Sequence, residues 1–267
     1  MQTKLPMELT NIERPRPSWR ERWLRLVWKL CPQGPAFDAL LSRRLPELKP
    51  LREQDPGDCI PAFDSSRVTI QLCPAGAWST PLVDVVVLAK CALGFQSRRI
   101  LEIGSYLGNT ARILAENTGP ETRLTTLDEY PDHGKAYRGT PLEQKIDRRI
   151  GKVSLEHFGP DDKYDLIFVD ADHRYEAAVN DTQVALQLLT KNGVIVWHDY
   201  QQANHFQGWN DVPEVLRIFS AQIPIVAIKG TWLAIHSRHP GWETTGLAKG
   251  TAALSADDPW HDRTLRG

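Results

Sequence analysis

Two short stretches hold most of the ionisable side chains that could do chemistry. In "LIFVDADHRYE", residues 166 to 176, four apolar residues run straight into Asp170, Asp172 and His173. In "GVIVWHDY" a second apolar run ends in His198 and Asp199. Ionisable groups at the end of a buried strand are costly unless something pairs with them. Carboxylate oxygens suit Mg²⁺ or Mn²⁺, and an imidazole tilts the choice toward a transition metal. A histidine, with an ordinary pKa of about 6.5, can also take a proton at neutral pH. The bland alternative makes Asp172 the cap of a helix starting near Arg174, and the histidines plain polar residues at strand ends.

Convergence of these groups requires neighbouring strands, and from residue 98 onward the sequence has the texture to supply them. Short apolar runs in "RRILEIG", "TRLTTLD", "GKVSL", "YDLIFVD" and "GVIVWHD" read as buried strands. Helical segments over 109–117, 141–150 and 174–190 fall between several of them, with Thr140, Pro141 and Glu143 marking the start of the second. That alternation predicts a parallel α/β sheet with right-handed crossovers. After a further helix, "DVPEVLRIFSAQ", the segment "PIVAIKGTWLAIHS" predicts a hairpin around Lys229 and Gly230. Adjacent strands lie about 4.8 Å apart, so Asp170 and the His198–Asp199 pair can meet at the ligand face of the sheet.

The first strand-to-helix turn, "LEIGSYLGNTA", faces the same crevice. Gly104 and Gly108 would let the backbone approach a ligand, and the helix start offers N–H groups to an anion. The spacing is GxxxG, with Tyr106 where a dinucleotide fingerprint would place its second glycine, which disfavours nicotinamide or flavin. Asp128 ends the second strand in "TTLDEY", a position suited to accepting hydrogen bonds from ribose hydroxyls.

With "EIGSYLGNT", "TLDEY", "FVDADHRYE", "GVIVWHDY" and the closing hairpin together, the chain resembles the class I S-adenosylmethionine-dependent methyltransferases over residues 80–237. Within them it looks most like the metal-dependent small-molecule O-methyltransferases of antibiotic tailoring. The resemblance implies a Rossmann-like, seven-stranded sheet whose last strand is antiparallel. It implies S-adenosylmethionine held by Glu102, Gly104, Ser105, Tyr106, Gly108, Asp128 and Gly151, with Gly104 by the methionine, Asp128 by the ribose and Gly151 by the adenine. It also implies a divalent cation, Mg²⁺ or Mn²⁺, on Asp170 and Asp199 with His198 beside them, and Asp172 or His173 as the base. Relatives of this type carry an acid where His198 stands. The reaction implied is methyl transfer to a hydroxyl of a small molecule or glycoside, with the cation lowering the hydroxyl's pKa. Two alternatives stay open: a non-heme iron oxygenase using His173, His198 and Asp199, and an inactive nucleoside-binding domain.

Composition narrows the partners. A net charge of −1 with 24% charged residues gives no case for nucleic acid. There is no apolar run of about 18 residues and no secretory leader in "MQTKLPMELTNIERPRP". Four scattered cysteines, Cys31, Cys59, Cys73 and Cys91, read as reduced thiols in a cytoplasmic protein. Residues 1–79 read as an N-terminal helical and loop extension, 80–237 as the S-adenosylmethionine-binding methyltransferase domain, and 238–267 as a loose polar tail. Thr80, Pro81 and Gly94 would bound the domain's first helix. In "SWRERWLRLVWKL", residues 18 to 30, Trp19, Trp23, Leu26, Val27 and Leu30 share one helical face and basic residues take the rest. Three readings fit that helix: packing on its own domain, a homo-oligomer contact or acceptor lid, or a membrane-surface contact.

Overall fold

The chain is described by a computed structural model at Leu9, Ile12, residues 50–74, 78–200 and 210–240, and Trp242. The Trp-rich stretch 18–30, the loop 201–209 and the chain beyond Trp242 lie outside the described residues. In chain order β1 (Glu53–Gln54) and a short α1 (Pro56–Cys59) precede α2 (Leu82–Gly94). Then follow β2 (Arg99–Ile103), α3 (Asn109–Asn117), β3 (Arg123–Asp128), β4 (Ile146–Ile150) and β5 (Tyr164–Val169). The chain continues through α4 (Tyr175–Leu188), β6 (Leu189–Trp197), α5 (Val212–Ser220), β7 (Val226–Ile228) and β8 (Ala234–Ser237).

The strands form one sheet in the order β1-β7-β8-β6-β5-β2-β3-β4, in which only β8 among the described strands runs against the others. This is the Rossmann-like, mostly parallel fold expected, with its antiparallel closing hairpin. It gains an eighth strand, because β1 from the extension pairs with β7. Alternation along the central strands divides the core into two layers. Leu101, Ile103, Ile167, Val169, Ile195 and Trp197 pack with α4 and α5 on one face. Ile100, Leu166, Phe168, Val194 and Val196 pack with α2 and α3 on the other. Both faces are covered, so these strands read as continuous apolar runs.

The chain leaves β2 toward β3 and β4, then returns to lay β5 on the opposite side of β2. The switch point therefore falls between β2 and β5. Ile103 pairs with Val169, and Val169 with Trp197, so the three strands end level. Backbone bonds continue that register one residue further: Asp170 N–H donates to Ile103 O at 2.8 Å and His198 N–H to Val169 O at 3.0 Å. Gly104 fits between the strand ends because it has φ +83° and no Cβ; a Cβ there would collide with the Asp170 carbonyl oxygen.

Several expectations need correction. The segment 141–150 is no helix: a 3-10 turn at Pro141–Lys145, capped by the Thr140 hydroxyl, leads into β4. "GKVSL" is then the turn after that strand. Pairing of Ile146–Ile150 along β3 overrides the local helical pattern, and Lys145 is anchored to the Ala115 and Thr118 carbonyls. Thr80 does not cap α2; Pro81 takes that position and the Thr80 hydroxyl turns to Thr110 and Asp170. Gly94 lies within α2, against the Pro61 carbonyl. The tail does not loosen at 238 either. The Arg238 guanidinium donates to the Leu186 and Leu189 carbonyls, and buried Trp242 donates to Cys59 O.

Gly104→Ala should strain both the backbone and the β2–β5 contact, costing about 2–4 kcal/mol. The expected result is a melting temperature lower by roughly 5–10 °C in thermal denaturation; an unchanged midpoint would contradict the close approach.

Candidate active site

The strand ends open into one cleft of about 1150 Å³, lined among others by Gly104–Leu107, Asp128, Gly151, Asp170–Arg174, His198 and Asp199. At one end Asp128 gathers the glycine turn. Its Oδ2 accepts the N–H groups of Ser105 and Tyr106 at 2.8 and 2.7 Å, and its Oδ1 accepts that of Tyr130 at 2.7 Å. Asp128 is thus an organiser of the turn as well as part of the wall, with acceptor capacity remaining on a carboxylate that has about four lone-pair sites. Gly108 has φ +80° and packs against Tyr137 and Gly134. Its role is to let the turn close on protein, since neither it nor Glu102 lines the cleft.

Glu102 sits where period-two alternation sends it, on the α3 side of the sheet beside Ile100. It is 1% exposed, and neither carboxylate oxygen has a hydrogen-bond partner of good geometry. Burial lifts its pKa to about 8, helped by the charges of Asp170 and Asp128 against the Ser105 hydroxyl. Across the strand lies a buried polar set in which the Thr126 hydroxyl meets His133 Nε2 at 3.3 Å and the Tyr137 hydroxyl at 3.0 Å.

At the other end the acid and imidazole groups converge. His173 Nε2 lies 2.6 Å from Asp199 Oδ2 and 4.0 Å from Asp170 Oδ1. His198 Nδ1 lies 3.1 Å from Asp199 Oδ2 and 3.3 Å from Asp170 Oδ1. Asp170, His173 and Asp199 each bring a donor atom within 4.8 Å of the others, a grouping that could share one metal ion. Asp199 adopts the left-handed conformation, φ +57°, a strain that non-glycine residues carry mostly where surrounding structure enforces it. Asp172 stands apart: both its oxygens face the Arg174 guanidinium, and Oδ1 also accepts the Arg174 N–H at 2.9 Å. It is not the helix cap, which is Arg174.

The electrostatics follow from this crowding. Burial disfavours a charged His198 ring, yet Asp170, Asp199 and Asp84 outweigh it and lift the pKa to about 12. Burial likewise opposes charge on His173, and Asp199 with Asp170 raises it nonetheless. Burial would raise Asp199, but the two imidazoles hold it well below the usual carboxylate range. The Arg174 guanidinium lowers Asp172.

Sequence reasoning passed over five contributors. Asp84 is 1% exposed and accepts from His198 Nε2 at 3.1 Å and from the Trp232 N–H at 3.3 Å. Its signal was present, as the one charge in "LVDVVVLA" of a buried helix. Thr80 donates to Asp170 Oδ2 at 3.1 Å. Trp78 and Trp232, 82% and 44% exposed, border the cleft. Asp181 on α4 also lines it, with burial lifting its pKa to about 7. The barrel of an iron oxygenase has no counterpart in this parallel sheet, which removes that alternative.

Residues 101–200 match a family described as a methyltransferase domain. A catechol O-methyltransferase from Mycobacterium tuberculosis is 30% identical over 168 residues, covering 60% of this chain and 69% of that protein. Among solved structures, an O-methyltransferase from Bacillus cereus in complex with SAH is 19% identical with a TM-score of 0.48, covering 61% of this chain and 84% of that one. The SAH-bound methyltransferase PaMTH1 from Podospora anserina is 21% identical with a TM-score of 0.47, covering 59% and 79%.

The raised Glu102 pKa has a signed consequence. The folded protein keeps the proton that the unfolded chain releases near its ordinary value of 4.5. The stability gained by keeping it neutral is therefore full below that value and is lost as pH rises through about 8. Glu102→Gln should stay neutral throughout, so its melting temperature should rise relative to the parent across that window, by several degrees at roughly pH 8–9. Parallel melting curves would place the shift elsewhere.

Proposed function

The chain belongs to the class I S-adenosylmethionine-dependent O-methyltransferases, and from that premise we propose that it methylates one hydroxyl of a small acceptor bearing adjacent hydroxyls, assisted by a divalent cation at the floor of the cleft. The observation that carries this reading is the convergence of Asp170, His173, His198 and Asp199 within 2.6–4.0 Å of one another's neighbouring polar atoms. Asp170, His173 and Asp199 bring donor atoms close enough to share a divalent cation, and Asp84 holds the neighbouring His198 ring from behind. The relative from M. tuberculosis is named for a catechol, a molecule with two adjacent hydroxyls; a like acceptor is proposed for this chain.

In this reading Asp128 accepts from the ribose with the capacity its backbone donors leave free, and Ser105, Tyr106 and Gly151 line the nucleoside's side of the cleft. The cofactor supplies a methyl group already bonded to a good leaving group, so the protein chiefly positions the acceptor and removes its proton. A divalent cation on Asp170, His198 and Asp199 would acidify the acceptor hydroxyl and fix its orientation. His173 reaches into the cleft and is held by Asp199 at 2.6 Å, which orients its ring to take that proton. Asp172, engaged by Arg174, is the weaker candidate for base. The exposed faces of Trp78 and Trp232 suit a flat acceptor ring at the mouth.

The direct test is incubation with labelled S-adenosylmethionine against catechols, vicinal diols and single-hydroxyl controls, with and without chelator. Turnover should require the adjacent hydroxyl and should vanish on chelation; full turnover after exhaustive chelation would sink the cation assignment and leave methyl transfer standing. Asp199→Asn should cost on the order of 10²-fold or more in turnover, with cofactor affinity by calorimetry changed far less.

His173→Ala should lower turnover by about 10²–10⁴-fold and flatten the pH–rate profile. Asp172→Ala should leave the profile in place and lower thermal stability slightly, through the lost turn at the start of α4. The reverse pattern in pH–rate measurements would make Asp172 the base.

A further inference from the structure

Resting on that cation reading, we propose that the Asp84–His198 pair makes the floor of the cleft a mixed nitrogen and oxygen site, whose resident ion is a first-row transition cation and not magnesium. Asp84 lies on α2, remote in sequence from the strand-end cluster, and is 1% exposed. Its Oδ2 accepts from His198 Nε2 at 3.1 Å, while its Oδ1 is held by the Trp232 N–H. Those two bonds fix both the carboxylate and the ring. With Nε2 engaged by Asp84, Nδ1 is the ring nitrogen left facing the cluster, where a bound cation would take the place of its proton. This is the outer carboxylate that metal-ligating histidines commonly use to set ring orientation and basicity.

Nδ1 itself supports the assignment. It is buried and has no hydrogen bond of acceptable geometry, although carboxylate oxygens of Asp199 and Asp170 lie at 3.1 and 3.3 Å. A ring nitrogen and two carboxylates crowded without a well-directed bond between them are what a shared ion would organise. Magnesium prefers an all-oxygen octahedron and keeps much of its water, whereas imidazole nitrogen suits manganese less than iron, cobalt, nickel or zinc, but all of these more than magnesium. Asp84 is thereby a positioning residue, acting on the ion through His198.

The test loads the metal-stripped full-length chain with Mn²⁺, and separately titrates Co²⁺ and Mg²⁺ by calorimetry. Electron spin-echo spectra of the Mn²⁺ form should show a ligating imidazole nitrogen that is lost in His198→Asp. That variant restores an oxygen-only contribution at the position, so its preference for Co²⁺ over Mg²⁺ should fall at least about tenfold. Asp84→Asn should lower Co²⁺ affinity by about 10–100-fold while Mg²⁺ affinity moves little. Should His198→Asp fail to fold by thermal melting, the Asp84→Asn comparison decides the matter alone. An unchanged nitrogen signal in His198→Asp, or equal Mg²⁺ and Co²⁺ affinity in the parent, would overturn this inference and leave a cation-assisted enzyme. Absence of any bound cation, together with turnover in chelator, would instead overturn the reading on which it rests.

Discussion

The level ending of β2, β5 and β6 is the constraint on which the rest of this site depends. Ile103, Val169 and Trp197 are in register, and the residues that follow β5 and β6, Asp170 and His198, are each bonded back to the carbonyl that ends the neighbouring strand. Side chains that are far apart in sequence are thereby delivered side by side at the topological switch point. Gly104 makes the arrangement sterically feasible, since any Cβ there would meet the Asp170 carbonyl. A one-residue slip of β5 or β6 would turn the strand's buried set to the wrong face, and the two apolar layers forbid it.

Around that backbone frame the site concentrates negative charge that the protein only partly balances. Asp84, Asp170 and Asp199 surround His198, and Asp199 also holds His173. Glu102 adds a buried carboxylate just beneath, kept largely protonated by its surroundings. The same low-dielectric setting that raises Glu102 makes the imidazole and carboxylate contacts above it strong. Charge on one group is tolerable only because a partner of opposite sign lies within about 3 Å of it. Asp128 solves a separate problem at the other end, where three backbone N–H groups of a tight turn need an acceptor.

Fold class, the strand-end positions of Asp128, Asp170, His198 and Asp199, and the closing hairpin were legible in the sequence. Each depends on burial and turn patterns contained within a window of roughly ten residues. Where two patterns competed locally, the reading failed. "PLEQKIDRRI" carries a cap and helix-forming residues, yet pairing along β3 draws its second half into β4. Thr80 looked like a cap by residue type, but the hydroxyl groups of Thr110 and the carboxylate of Asp170 offered it buried partners.

The sequence by itself determined which residues end the strands of a parallel sheet, because alternation and apolar runs record how each strand is buried. Only the tertiary structure decided what those residues face. Asp84 meets His198 across 114 positions, Asp172 turns to Arg174 and away from the cluster, and Glu102 drops beneath the cleft. Such contacts depend on which surfaces of α2, α4 and the sheet come together. That choice is set by packing over the whole chain, and no local pattern carries it.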